Sequence, residues 1–257
     1  MKLNIPAKGN KKLEEVTSRA DKDEELAELW KASNVMAIDR LGFNDHGPTH
    51  VKISANISLK ILRIFIEAKR VPSIVKDHNM TNEDAEVVVV LAILLHDIGH
   101  VVHRENHEQF SVPLAIPIIR RLLHNLYDAS SLSIVQGEIL HAIFSHTSGI
   151  IPYTLEAGIV KIADALDMEQ GRARIPFRAG SVNIHSVSAM AIDKVEIRPG
   201  ADRILEIEIK MSNSAGIYQI DDLLRERIKE SGLANDISVI VHISGEEKKI
   251  IEKKIEL

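Results

Sequence analysis

The sequence of 257 residues contains no cysteine. Disulfide bonds, thiolate zinc sites and cysteine nucleophiles are therefore excluded, and any metal ion must be held by histidine and carboxylate side chains. The chain also lacks a block of basic residues, and its formal net charge is -5. Without a cationic footprint, we do not expect it to bind long nucleic acid.

Long apolar segments are also scarce. The longest apolar run, Val87 to Leu95, is far too short to cross a bilayer, and the N-terminus lacks the apolar core and cleavage site of a secretory signal. We therefore expect a cytoplasmic protein without membrane contact. An abundance of Ile, Lys and Glu with few Gln favours a heat-adapted source.

Hydrophobic periodicity predicts a helical body in the first two thirds of the chain. The predicted helices cover residues 11–19, the segment from a cap at Asp21 or Asp23 to Gly42, and residues 49–70, 82–98, 107–127, 132–146 and 154–168. The 82–98 helix starts at a Thr81 cap and carries nine consecutive apolar residues, which predicts a helix buried all round. The 107–127 helix must bend at Pro113 or Pro117.

In the 49–70 helix, apolar residues recur at spacings that share one face with His50. These residues are Ile53, Ile57, Ile61 and Ile64. Because such a face packs on the core, we expect the His50 side chain to point inwards.

Near Gly171 the sequence changes from helical to alternating. Residues 194–198 and 203–211 flank Pro199-Gly200 and predict a hairpin, residues 220–230 predict a short helix, and residues 236–244 and 248–257 predict a second hairpin around Gly245. The expected fold is mainly α, with an all-helical domain over residues 1–180 and a small α+β module of ββαββ order over residues 181–257. An edge strand of this module could pair in a homodimer.

The most apolar helix ends in a polar pair, His96-Asp97. An imidazole and a carboxylate at the end of a core segment must be bonded to something, and a metal ion would satisfy both. The pair stands in the sequence LLHDIGH. His50 precedes it and Asp164 follows it, each at or near the end of a predicted helix.

This ordered set of His, then His-Asp, then Asp, resembles the HD-domain superfamily of metal-dependent phosphohydrolases over roughly residues 41–178. The resemblance implies a helical bundle in which His50, His96, Asp97 and Asp164 hold a divalent ion. Four polar side chains buried without a metal would cost several kcal/mol, at about 1–3 kcal/mol for each group. The mixed ligand set suits Mn, Fe, Co, Ni or Zn better than Mg or Ca.

The stretch from Ala142 to Gly149, followed by Ile162-Ala-Asp164, is similar to the two-metal branch of this superfamily, which includes HDIG-type proteins and symmetrical diadenosine tetraphosphate hydrolases. That similarity implies a second ion held by His107 and His146, with Asp97 bridging the two. His141 and His146 diverge by about 140° on a regular helix, so both cannot face one site. The choice of His146 over His141 stays open. His46, His78, His124, His185 and His242 are not expected to be ligands.

The superfamily resemblance implies hydrolysis of a nucleotide or another small phosphorylated metabolite by a metal-activated hydroxide. Asp97, His96 and Lys161 are the predicted catalytic residues. Arg104, Lys161, Arg172 and Arg174 are the predicted phosphate contacts, since arginine in particular offers bidentate geometry to phosphate.

Two other functions are compatible with the same residues. A minority of HD proteins hold two irons and activate oxygen, and the ligands for that chemistry would be the same. Alternatively, the metal site is structural or regulatory, and the C-terminal module binds a partner or effector.

Overall fold

The computed structural model describes residues 2–169 and 188–244. An α-helical body comes first, and a three-stranded sheet with one helix follows it. The helices are α1 (Lys11–Ala20), α2 (Glu24–Asn34), α3 (Pro48–Glu67), α4 (Ser73–His78), α5 (Asn82–Leu95), α6 (His107–Leu122), α7 (Ala129–Ser145), α8 (Leu155–Ala165) and α9 (Arg225–Glu230). The strands are β1 (Ile192–Pro199), β2 (Leu205–Met211) and β3 (Ile237–Ile243). The mainly α fold with a small C-terminal sheet is confirmed.

Helix α5 is the centre of the body. It begins with a capping box in which the Thr81 hydroxyl accepts from the Asp84 backbone N–H while the Asp84 carboxylate accepts from the Thr81 backbone N–H. Every residue from Val87 to Leu95 is fully buried, as the uninterrupted apolar run predicts. Helices α1, α3, α4, α6, α7 and α8 pack around it, which fixes the position of whatever follows Leu95.

Helix α3 buries part of the predicted face, including the side chain of His50. Ile61 and Ile64 are buried as expected, but Ile53 is 40% exposed and Ile57 is half-buried. The buried side of α3 also includes small residues, such as Ser54 and Ser58. The spacing of the isoleucines alone did not reveal this, because serine carries no hydrophobic signal even where close packing of two helices requires it.

Several element ends differ from the predicted ones. Helix α5 ends at Leu95 and is followed by a 3₁₀ turn at Ile98–Val101, while α6 runs through both prolines and ends at Leu122. The short helix α4 was not predicted from the sequence. A π-helical turn, Val35–Arg40, extends α2.

The C-terminal sheet has the order β1-β2-β3. Strands β1 and β2 form the predicted antiparallel hairpin. Strand β3 pairs with β2 in parallel, so the connection between them is a crossover that contains α9. The partner strand of the second predicted hairpin, residues 248–257, lies outside the described residues.

Candidate metal centre

Six side chains predicted as metal ligands lie at the ends of five helices. They are His50 in the first turn of α3, His96 and Asp97 just after α5, His107 at the start of α6, His146 just after α7 and Asp164 at the end of α8. Because helix ends converge here on the C-terminal end of α5, residues that are far apart in sequence form one buried cluster.

The four histidines of the cluster share one orientation. In each ring Nδ1 lies within hydrogen-bond distance of an oxygen: Asp167 Oδ2 for His50 (2.7 Å), and backbone carbonyls of Ile93, Arg104 and Ile143 for His96 (2.8 Å), His107 (3.1 Å) and His146 (2.6 Å). The oxygens accept, so the proton of each neutral ring belongs on Nδ1. In a neutral ring Nε2 is then left as an acceptor that points into the cluster.

The Nε2 atoms meet one another and the carboxylates at short distances. On one side of Asp97, His50 Nε2 lies 3.2 Å from His96 Nε2 and 3.2 Å from Asp164 Oδ1, and His96 Nε2 lies 3.2 Å from Asp97 Oδ2. On the other side, His107 Nε2 lies 3.1 Å from His146 Nε2 and 3.2 Å from Asp97 Oδ1. The two oxygens of Asp97 therefore face two separate groups of ligands.

These distances suit metal coordination. Two atoms that are each about 2.1 Å from one ion and 90–110° apart are about 3.0–3.4 Å from each other. The Nε2 atoms of the neutral His107 and His146 rings face each other at 3.1 Å with no proton to share, and a cation between them removes the repulsion. Within the described chain, triads that could hold an ion include His50, His96 and Asp164, and His96, Asp97 and His146. The residues fit the predicted divalent ions.

The charges within the cluster favour ionised carboxylates at Asp97 and Asp164. Burial raises the pKa of Asp97 and of Asp164, but the neighbouring imidazoles outweigh burial and hold both pKa values well below the usual range. Burial lowers the pKa of His146 well below its ordinary value, and its imidazole neighbours add to the effect. Burial also lowers the pKa of His96, yet Asp97 and Asp164 raise it to about 10. A metal ion would replace that proton.

Three residues of the cluster were missed by sequence reasoning. His46, set aside as a non-ligand, lies with Nδ1 2.6 Å from Asp97 Oδ2 and forms a further possible triad with His50. His100 is fully buried and stacks on His107, and its Nε2 lies 3.5 Å from Asp97 Oδ1. Asp167 orients His50. Only Asp167 had a usable signal, since it follows Asp164 by three residues and shares its helical face.

Lys161 is placed differently from its predicted role as a catalytic and phosphate-binding residue. Its fully buried ammonium group donates to the backbone carbonyls of Thr147 (2.6 Å) and Ile150 (2.7 Å) and pairs with Glu230 (2.8 Å). Burial lowers its pKa, which the Glu230 carboxylate partly offsets. These contacts occupy all three donors, so Lys161 holds the loop after His146 against α8 and α9.

The other predicted phosphate contacts have mixed placements. Arg104 lies beside the cluster, with Nη1 3.2 Å from His107 Nδ1 and its guanidinium over the Phe43 ring. Arg172 and Arg174 lie outside the described residues. His141 stacks on Tyr153 and accepts from the Tyr153 backbone N–H, whereas His146 faces the cluster.

The C-terminal module supplies a cation that the sequence did not indicate. Arg227, on α9, donates to the backbone carbonyl of His146, and its Nη1 lies 3.6 Å from Asp164 Oδ2. On the same helix Glu230 binds both Lys161 and the backbone N–H of Gly149. No motif links residue 227 to residue 164 across 63 positions, and only the crossover brings them together.

The comparisons with known proteins agree with this geometry. The family model for the HD domain matches residues 58–169. The chain belongs to the HD-domain superfamily of metal-dependent phosphohydrolases. It is 43% identical to an uncharacterized protein of Methanocaldococcus jannaschii, MJ1020, over 232 residues that cover 90% of this chain and 89% of the relative. No helix within the described segments is long and apolar enough to span a bilayer.

Proposed function

We propose that this protein is a two-metal phosphohydrolase that cleaves a phosphoester or phosphoanhydride bond of a nucleotide or another small phosphorylated metabolite. The observation that carries the proposal is the position of Asp97, whose Oδ1 and Oδ2 face separate groups of histidine nitrogens. A carboxylate placed in this way can bridge two ions. Such a pair of ions supplies a hydroxide near neutral pH and neutralises charge on the phosphoryl oxygens.

The side chains of this site would have three roles: holding the ions, orienting a ligand and binding phosphate. His50, His96 and Asp164 would hold one ion, His107 and His146 the other, and Asp97 both. Asp167 fixes the orientation of His50 through its 2.7 Å contact, as an outer-shell carboxylate commonly does for a ligating histidine. Arg227, at the Asp164 edge of the cluster, would bind a phosphoryl oxygen with a planar guanidinium.

The experiment is a screen of the full-length protein loaded separately with Mn, Co, Ni, Zn and Fe. The substrates are phosphomonoesters, cyclic nucleotides and dinucleoside polyphosphates, and released phosphate or nucleotide is measured. Asp97→Ala is the inactive control. Asp39→Ala is the matched control, because Asp39 is exposed on the π-helical turn after α2. Turnover equal to that of Asp97→Ala on every substrate would refute the proposal.

An oxygen-activating di-iron centre would use the same ligands, and the iron-loaded protein tests it. Oxygen uptake together with the Mössbauer signature of a mixed-valent pair would favour that chemistry. The placement of Arg227 beside Asp164 favours phosphate chemistry, since a fixed cation next to the ligands suits an anionic substrate.

We further propose a cytoplasmic homodimer in which β1 or β3, the edge strands of the sheet within the described residues, pairs between subunits. Light scattering coupled to size exclusion measures its mass. A mass of one chain at micromolar concentration would contradict the dimer.

A further inference from the structure

A cleft of about 830 Å³ lies between α3 and β1, and we refer to it as the α3–β1 cleft. Its volume falls within the range of about 300–1,000 Å³ that is typical of small-molecule sites. Ile53 and Ile57 line it from α3, and Val195 and Ile197 from β1. The cleft is therefore a concave, largely apolar space at the junction of the helical body and the C-terminal module.

The exposed side chain of Ile53 is the unusual feature of this cleft. It is 40% exposed, whereas Ile61 and Ile64 of the same helix are buried. An apolar side chain that lines a concave surface beside half-buried Ile57 and Val195 gains free energy when an apolar group covers it. This wall of the cleft is suited to the apolar part of a ligand.

The charged side chains of the cleft differ in whether they have a partner among the described residues. Its acidic side chains have partners: Glu196 pairs with Lys194 and Lys210, and Glu169 accepts from the Val195 backbone N–H. The cleft's only arginine among the described residues, Arg198, pairs with two glutamates of β2.

Lys52 and Lys60 also line the cleft, and neither has a carboxylate partner in the part of the chain that the structure describes. They are eight residues apart on α3, about 12 Å along the helix axis. Among the described residues, the cleft thus offers two ammonium groups without a carboxylate partner next to an apolar wall.

The α3–β1 cleft touches the candidate metal centre at one place. His50 and Asp167 line its end, and Asp167 Oδ2 lies 2.7 Å from His50 Nδ1. Of the six predicted ligands, His50 is the one that lines the cleft. A ligand in the cleft would contact the residue that orients His50 without occupying the ligand atoms themselves.

We propose that the α3–β1 cleft binds an organic anion of about mononucleotide size. Its apolar or aromatic part lies between the isoleucines of α3 and the side chains of β1, and its anionic group meets Lys52 or Lys60. Two sources have this chemistry: the non-reacting part of a substrate, or a separate effector that acts on His50 through Asp167. The binding site itself does not depend on the phosphohydrolase proposal.

The test is calorimetric titration of the metal-loaded, full-length protein with AMP, GMP, CMP and UMP, with adenosine and inorganic phosphate as part-ligand probes. We expect saturable binding of at least one nucleotide, tighter than that of either part. The double variant Lys52→Gln/Lys60→Gln should weaken it at least about tenfold, because it removes the charge-assisted contact to the anionic group whichever lysine makes that contact. Ile53→Glu should weaken it too, and the variant should stay folded because Ile53 is exposed.

The matched control is Lys11→Gln/Lys229→Gln, which removes the same charge from exposed positions on α1 and α9 and should bind as the wild type does. Chromatography of the titrated sample separates the sources: a converted nucleotide is a substrate, and an unchanged one is an effector. Either result supports the proposal when the Lys52→Gln/Lys60→Gln variant weakens the binding. No saturable binding of any of the four, or binding that the cleft variants leave unchanged, overturns it.

Discussion

Helix α5 carries a buried carboxylate near each end, and the two have opposite surroundings. Near the N-terminal end, Asp84 contacts the Lys12 ammonium (2.6 Å), the Tyr127 hydroxyl (2.8 Å) and the Thr81 hydroxyl (2.8 Å). Just past the C-terminal end, Asp97 is surrounded by histidines.

The difference between these surroundings distinguishes a carboxylate that stabilises the fold from one that suits a metal site. The partners of Asp84 are hydrogen-bond donors, and the protein satisfies this carboxylate completely. Around Asp97, His96, His107 and His146 direct Nε2 inwards while Nδ1 contacts a backbone carbonyl, so in the neutral rings these Nε2 atoms are acceptors and a cation from outside would satisfy them. A buried acid among donors is structural, whereas a buried acid among acceptors indicates a metal site.

The largest expected effect is on activity, at Asp97. Asp97→Ala should lower kcat/KM by roughly 10³-fold or more, since a bridged metal pair contributes several kcal/mol of transition-state stabilisation. Initial rates on the best substrate of the screen measure it. A variant that keeps more than a tenth of the activity would remove Asp97 from the centre of the mechanism.

Asp84→Ala should show the reverse pattern. It removes a helix cap and hydrogen bonds to Lys12 and Tyr127, which should lower the free energy of unfolding by about 2–3 kcal/mol. The activity of the folded fraction should stay unchanged. Urea unfolding measures the stability and initial rates measure the activity of the same preparation. A loss of specific activity without a loss of stability would contradict the structural role of Asp84.

Arg227 tests whether the C-terminal module contributes to the site. Arg227→Lys should lower kcat/KM by about 10- to 100-fold, because lysine cannot bind both the His146 carbonyl and a phosphoryl oxygen with planar geometry. Lys229→Gln, on the exposed face of the same helix, is the control. If the loss is confined to thermal stability, Arg227 is structural and resembles Asp84 rather than Asp97.

The smallest effect is the pH dependence of stability near Asp84. Burial raises the pKa of Asp84, but Lys12, Tyr127 and Thr81 outweigh burial and lower the pKa in the folded state. The resulting stabilisation is present above the unfolded-state pKa and is lost as pH falls through the folded-state value. Urea midpoints between pH 6 and pH 3 should fall less steeply for Asp84→Asn than for the wild type. Parallel slopes would contradict the assignment.

The sequence predicted the parts of this molecule that depend on local pattern. The capping box at Thr81, the buried run of α5 and the β1–β2 hairpin follow from residue order within about twenty positions. The order of His50, His96-Asp97 and Asp164 indicated the family, which the family model confirms.

What the sequence did not predict depends on contacts between distant segments. His46 lies in a loop, where no periodicity assigns a face, and Arg227 reaches Asp164 only because β3 pairs in parallel with β2. Lys161 shares a helical turn with Asp164, but the carbonyls that bind it belong to the loop after α7. The exposed side of α3 was misassigned because buried serines such as Ser54 and Ser58 carry no hydrophobic signal.

Metal analysis of the purified protein tests the central claim most directly. The claim predicts up to two equivalents of a transition metal in the wild type and in Asp84→Asn, and none retained in Asp97→Ala after desalting, with all three proteins folded by circular dichroism. A folded wild type that binds no metal after incubation with Mn, Co, Ni, Zn or Fe would contradict it. So would an Asp97→Ala variant that keeps its full metal content.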